Sequence, residues 1–511
     1  MQSISENNKR IAKNTIMLYI RMLLIMAVTL YTSRVVLEVL GVEDFGIYNV
    51  VGGLVAMFSF LTGSLSASTQ RYITYALGKG NREELRIIFS TSIYIHILFS
   101  ILIILLSETL GLWFFYTKLQ IPIDRLDATF WAFQFSILSA AIAVLNIPFY
   151  ASIVAYERMN IFAYISVAEA ILKLVVVYIL LLFDIDKLAL YAFLIFLVQF
   201  VVWLSYILYC RHHFELLRLK KVYNRGLFNE MLRFSGWNLF GSLASVCFNQ
   251  GLNILLNVFF NPIVNAARAI SVQVQNAVYQ FCVGFQTALN PQITKSYASK
   301  DYTYMYSLLF QGSKFSFYLL LLFSLPVFIE ADVILCLWLK NVPENTVIFL
   351  RIMLVISWIN SFSNPLIVAA SATGKIMRYQ ILVGGILLLV LPISYICLVC
   401  GAAPFVVFVV HLCVELIAQL ARLFLLRGMI QLPLIDYWKK VILKSLLVLC
   451  VSIIIPFSLY NYLNSTLFDA LIICIVTIIS TVLSIYFFGI SYDERALLKK
   501  KCGAYIKYLC K

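Results

Sequence analysis

Ten charged residues stand inside segments that are otherwise apolar: Arg21, Arg34, Arg71, Lys173, Lys314, Arg351 and Arg422 among the bases, Glu38, Glu169 and Glu415 among the acids. An ionised side chain at mid-bilayer costs about 3 kcal/mol even on permissive scales, so each should face protein or water, and each is a candidate for ion or substrate traffic. Spacing sorts them. Glu169 precedes Lys173 by four residues and Arg34 precedes Glu38 by four, which puts each pair on one helix face as an ion pair. Glu415 follows His411 by four, a pairing that could titrate near neutral pH. Arg71 sits among Ser66, Ser68, Thr69, Gln70 and Thr74, a cluster too polar for lipid contact. Arg21 lies ten residues into the first apolar run, roughly 15 Å from its start, where either snorkelling or a cavity role would suit it. A further set is amide-rich: Asn249, Asn253 and Asn257 step by four, and Arg268, Gln273, Gln275, Asn276, Gln280 and Gln286 follow. Such stripes glue helices together or hydrogen-bond a polar cargo.

The elements that must carry these groups are membrane helices. The chain has 511 residues, 62% hydrophobic and 12% charged, with a mean hydropathy of +0.93. A soluble domain would be nearer half apolar and a quarter charged. At about 20 apolar residues per bilayer crossing, fourteen spans are expected, near 11–40, 46–78, 87–107, 128–152, 159–183, 188–210, 233–260, 265–294, 307–329, 345–373, 379–400, 403–426, 441–461 and 467–490. With both termini cytoplasmic, the inward turns and tails hold 27 of the 39 Lys and Arg and the outward turns five, while acidic residues show no such bias. Basic residues alone set orientation in this way. The net charge of +15 is therefore a topology signal, and nucleic acid is excluded as a partner.

Chemistry of other kinds finds little support. The eleven cysteines read mostly as small hydrophobes, and the Cys397–Cys400 CxxC lacks a second pair or a nearby histidine. Catalytic motifs such as GxSxG, HExxH and the P-loop are absent. The DxD of "FDIDK" at Phe183 to Lys187 falls in a turn expected to face outward, away from nucleotide pools. No enzyme activity, cofactor or metal is expected. A first apolar run this long, without a small-residue cleavage site, reads as a retained helix rather than a signal peptide.

A repeat organises the spans. "SASTQRYITYALGKGN" recurs in muted form as "ALNPQITKSYASKD", with Gln70 on Asn290, Ile73 on Ile293 and Thr74 on Thr294. "NIPFYASIVAYERMN" likewise falls on "SNPLIVAASATGKIM", aligning Pro148 with Pro365 and Arg158 with Lys375. The expected architecture is all-α: parallel six-helix bundles at residues 1–210 and 233–426, a basic amphipathic linker at 211–232, helices 13 and 14 at 427–490 and a basic tail at 491–511. Because six is even, both bundles have the same orientation, and a parallel duplication suits alternating access across a central cavity.

These stretches, with "TLYTSRVVLEVLGVEDFGIYNVV" across the first hairpin, resemble the O-antigen-type polysaccharide flippases of the multidrug, oligosaccharidyl-lipid and polysaccharide exporter superfamily. The resemblance implies a multi-pass protein of a bacterial inner membrane. It would flip a polyprenyl-pyrophosphate-linked oligosaccharide to the outer leaflet, among membrane lipids and alongside other polysaccharide-assembly proteins. Guanidinium groups bind pyrophosphate bidentately, and amides bind sugars. On this basis Arg21, Arg34, Arg71, Arg268, Asn249, Asn253, Gln273 and Asn276 are the expected cavity residues. Glu38, Glu169, Lys173, Glu415 and His411 are the coupling or ion-pair candidates. The multidrug branch, which relies on embedded acidic residues for cation coupling, is the alternative. A glycan polymerase or ligase is a further one, weakened because the longest outward turn, Ser107 to Asp127, is short.

Overall fold

The computed structural model describes residues 2–56, 59–118, 121–183, 186–214, 224–260, 262–339, 342–463, 466–491 and 494–495. Residues 215–223 of the expected basic linker, most of the expected tail and part of the DxD turn lie outside these. The described chain is helical throughout. Helix α1 is Gln2–Ala56, α2 Ser59–Lys79, α3 Arg82–Leu106, α4 Leu112–Lys118, α5 Leu126–Ala155, α6 Met159–Ile179, α7 Lys187–His213, α8 Arg225–Phe259, α9 Pro262–Ala298 and α10 Tyr302–Ile329. Then follow α11 Ala331–Trp338, α12 Thr346–Asn360, α13 Ser363–Ala372, α14 Met377–Leu388, α15 Val390–Val399, α16 Val406–Ile430, α17 Leu434–Tyr437, α18 Leu443–Tyr462 and α19 Leu467–Ser484. Single π-helical turns at Ser107–Gly111, Trp438–Ile442 and Ile485–Gly489 interrupt or end three of the spans.

Breaks fall where the backbone demands them. Gly41, at φ 80 and ψ 168, divides α1 into two helices in a conformation essentially reserved for glycine. The expected spans at 345–373 and 379–400 each divide in two, at Ser361–Phe362 and at Leu389. In both cases a proline, Pro365 or Pro392, follows, and its ring cannot tolerate a helical carbonyl four residues earlier. Pro148, by contrast, sits within an uninterrupted α5.

Among the described residues, twelve helical segments are long and apolar enough to cross a membrane, against the fourteen expected. The two missing ones are the second and the eighth, whose helices α2 and α9 carry the repeated Ser, Thr, Asn and Gln residues. Those polar side chains pull the mean hydropathy of both helices below that of a simple span.

Packing groups the chain into two compact units. Unit 1 comprises Met1–Val246, Thr287–Tyr302 and Ser371–Ile381, and unit 2 comprises Cys247–Gln286, Thr303–Ala370 and Leu382–Lys511, a division that does not follow the sequence bundles. In unit 1, α5 is the central post, packed by α1, α2, α3, α6 and α7. It is buried along most of its length, with Ala132, Val144, Ala151, Ile153 and Val154 sealed from solvent. Small residues let neighbouring backbones approach closely, the usual basis of helix association in lipid. Unit 2 is built on the pairs α12 with α16, α15 with α16, and α18 with α19. Cys282 is buried, whereas Cys247, Cys413 and Cys450 are exposed on the outer faces of their helices.

Candidate functional site

Unit 1 holds a half-open cavity of 440 Å³ lined by α1, α6 and α7. Its polar wall is Arg21, Thr29, Thr32, Ser166, Glu169 and Lys173, and Tyr48 and Tyr191 line it with their rings in edge-to-face contact at 4.8 Å. Helical spacing delivers these groups: Arg21, Thr29 and Thr32 share one face of α1, and Ser166, Glu169 and Lys173 share one face of α6. The Lys173 ammonium donates to Glu169 over 2.6 Å, the expected four-residue pair. Arg21 lies over the Phe162 ring at 4.2 Å, and its buried Nε has no hydrogen-bond partner among the described residues. Two cations against one carboxylate leave the wall positive, and an unpaired guanidinium N–H at a cavity suits an oxyanion.

The other expected residues fall elsewhere. The Arg71 guanidinium donates to the carbonyls of Ser371 and Ala372 over 3.1 and 3.0 Å and lies over the rings of Tyr72, Tyr75 and Phe234. It thus caps the carbonyl end of α13 rather than standing open to cargo. In unit 2, Arg268 donates to the Asn249 carbonyl over 3.0 Å and to the Asn253 side chain. The three expected residues are brought together, but bound to one another as a clip between α8 and α9. Gln273 and Asn276 are exposed, whereas Gln275 is tied to Ser357 and the Met353 carbonyl. Glu415 pairs with Arg422 at 2.6 Å, not with His411, which packs on Phe248 instead. Two full helical turns align Glu415 with Arg422, whose longer side chain reaches back. Glu38 is exposed, and the Arg34 side chain lies outside the description, so their expected pair is not placed.

One network escaped the sequence reading. Glu157, its side chain fully buried, receives Arg10 at 2.6 Å, Lys295 at 2.5 Å and the Gln292 amide at 2.7 Å, and the Asn14 amide donates to its backbone carbonyl. These partners lie more than a hundred residues away in sequence, beyond any local spacing rule. Glu157 also adopts a left-handed φ of 60, with the Arg158 N–H closing the turn on the Ile153 carbonyl. Its counterpart in the repeat is Gly374, at φ 78. The Glu157 N–H bonds to the Val154 carbonyl as the Gly374 N–H bonds to that of Ser371. The other repeated stretch behaves alike: Gly80 at φ 71 and Lys300 at φ 61 close turns on Leu77 and Tyr297. The two stretches also meet, for a Cβ added at Gly78 would stand 2.7 Å from the Cβ of Ala298.

A model of the MatE family matches residues 18–179, which covers the first half of unit 1 and every wall residue of its cavity except Tyr191. Solved structures extend the likeness to most of the chain. One is an outward-facing multidrug resistance MATE family transporter of the MOP superfamily, 14% identical, with 81% of this chain and 94% of that one superposed at a TM-score of 0.70. The fold is that of the MATE transporters. A MATE protein in complex with MaD3S superposes over 83% of this chain and 97% of its own at 15% identity and a TM-score of 0.69. A MOP superfamily transporter from Pyrococcus furiosus, described as having a binding pocket of reversed polarity that suggests a different function, superposes over 81% and 94% at 14% identity and 0.68. No curated protein matches the sequence. The MATE-like fold, with twelve helices among the described residues long and apolar enough to cross a membrane, makes this a multi-pass membrane protein, and the multidrug and Pyrococcus furiosus neighbours are themselves described as transporters.

Proposed function

We propose that the chain is an exporter working by alternating access, with the cavity of unit 1 as a station on the transport path. The observation that carries the proposal is the set of charged residues at that cavity, Arg21 with Glu169 and Lys173, inside a helix bundle of the MATE fold. The cargo class best supported by the comparisons is that of the multidrug extruders, since a solved neighbour is described in those terms. In this reading Glu169 is the coupling carboxylate: it exchanges Lys173 for a proton or metal cation as the cavity fills and empties. One specific observation favours the glycolipid reading instead, namely the positive wall with an unpaired guanidinium N–H, which suits a pyrophosphate head.

A deletion strain separates the two. Heightened sensitivity to cationic drugs with surface glycan intact supports multidrug extrusion. Loss of glycan with lipid-linked repeat units accumulating inside supports flipping. Replacing Glu169 by glutamine should abolish ion-driven drug efflux in vesicles, and undiminished efflux would remove its coupling role.

A further inference from the structure

Unit 2 holds a crevice of 380 Å³ of its own. It opens where three membrane segments end together: the start of α10, the start of the segment running from α17 through the π turn Trp438–Ile442 into α18, and the residues just past the π turn Ile485–Gly489. Three lysines line it, Lys314, Lys440 and Lys444, against two carboxylates, Asp436 and Glu494. Both carboxylates are already engaged. Glu494 receives the nearly buried Lys314 on both oxygens, at 3.0 and 2.8 Å, and Asp436 receives Lys440 at 3.0 Å. Burial works to raise the Glu494 carboxyl, but Lys314 and the Ser491 N–H outweigh it and hold the group below the ordinary carboxylate range, so it stays an anion. Among the described residues, Lys444, half-buried on the crevice wall, faces no carboxylate that is not already paired.

Exposed apolar side chains flank the crevice in sequence. Ile435, Trp438 and Leu443, on the same segment as Lys440 and Lys444, expose 72, 46 and 60% of their surface. A tryptophan beside lysines at the end of a span is the composition of the headgroup layer. A soluble anion would have to be drawn into this layer, whereas an anionic lipid already has its phosphate there. We propose that the crevice seats the phosphate of an anionic phospholipid, with Lys444 and Lys440 at the phosphate and the Ser307 and Gln311 side chains deeper within.

The test is thermal unfolding of the purified protein in neutral detergent with added dioleoylphosphatidylglycerol, dioleoylphosphatidylcholine or inorganic phosphate, for the natural chain, Lys444→Ala and Lys444→Arg. The expected result is a rise in Tm of several degrees with phosphatidylglycerol alone, at least halved in Lys444→Ala and kept in Lys444→Arg. The lipid-free Tm of each variant shows that it folds. An equal rise with phosphatidylcholine, an undiminished rise in Lys444→Ala, or a rise with inorganic phosphate and none with phosphatidylglycerol would each overturn the proposal.

Discussion

Glu157 illustrates how much one side chain can commit a fold. A buried carboxylate is tolerated only when its partners replace water, and removing one of them leaves an uncompensated charge costing on the order of 3 kcal/mol. Lys295→Ala should therefore lower the Tm markedly, and Lys295→Arg should recover most of the loss, as followed by thermal unfolding in detergent. Glu330 presents the opposite case. It is buried, and both carboxyl oxygens lack a hydrogen-bond partner among the described residues. Burial, and then the neighbouring Asp332, push its carboxyl above the usual range. A carboxyl raised on folding favours the folded state while both states are protonated; that advantage is lost as pH climbs through the unfolded value toward the folded one. Glu330→Gln should therefore raise the Tm at pH 7 and change it little at pH 4, and an unchanged Tm at pH 7 would show that the carboxyl is solvated. The sequence made the four-residue pair Glu169 and Lys173 legible, because helical spacing alone predicts it. Glu415 with Arg422, seven apart, needed the same rule extended to a second turn. Glu157 with Lys295 could not be read, since only folding brings them together.

At the scale of elements, the apolar runs were readable and their interruptions partly so. The sequence placed the first boundary near Gly41, where the backbone turns, but ran straight through the breaks ahead of Pro365 and Pro392. Hydropathy averages over a window, while a proline acts on one carbonyl. Gly41→Ala forces a side chain into a region that costs about 1–3 kcal/mol outside glycine. No atom of the described residues lies within 4 Å of the added Cβ, so the predicted fall in Tm would report backbone strain. Polar α2 and α9 explain why composition finds twelve spans where charge counting expects fourteen. Their Ser, Thr and Gln residues are spent on contacts with other helices, such as Ser235 with Ser68 and Gln286 with Ser316.

Within unit 1, the contacts join turns that charge patterning expects on one side. Arg125 binds both Asp44 and Asp186, and all three lie in turns expected to face outward. Arg10 and Lys295, expected inward, both bind Glu157, also expected inward. A membrane-impermeant maleimide added to whole cells should accordingly label a cysteine placed at Asp124 but not one placed at Asn81 or Asp301. Labelling of all three from outside would break the expected topology. Two weak alignments in the sequence led to the matching turns at Gly80 and Lys300 and at Glu157 and Gly374, whereas the cargo was not legible, because cavity charge is a matter of which partners remain unpaired after folding.

The paired left-handed turns carry one consequence beyond their own geometry. Gly80 and Lys300 occupy corresponding places, as do Glu157 and Gly374, and in each pair one member is glycine and the other is charged. What the two halves hold in common at these points is a direction of winding, not a residue. Comparison letter by letter scores such positions as mismatches, although they are where the halves agree most closely. Ancestry in so divergent a chain is better traced through the handedness of its corners than through the spelling of its helices.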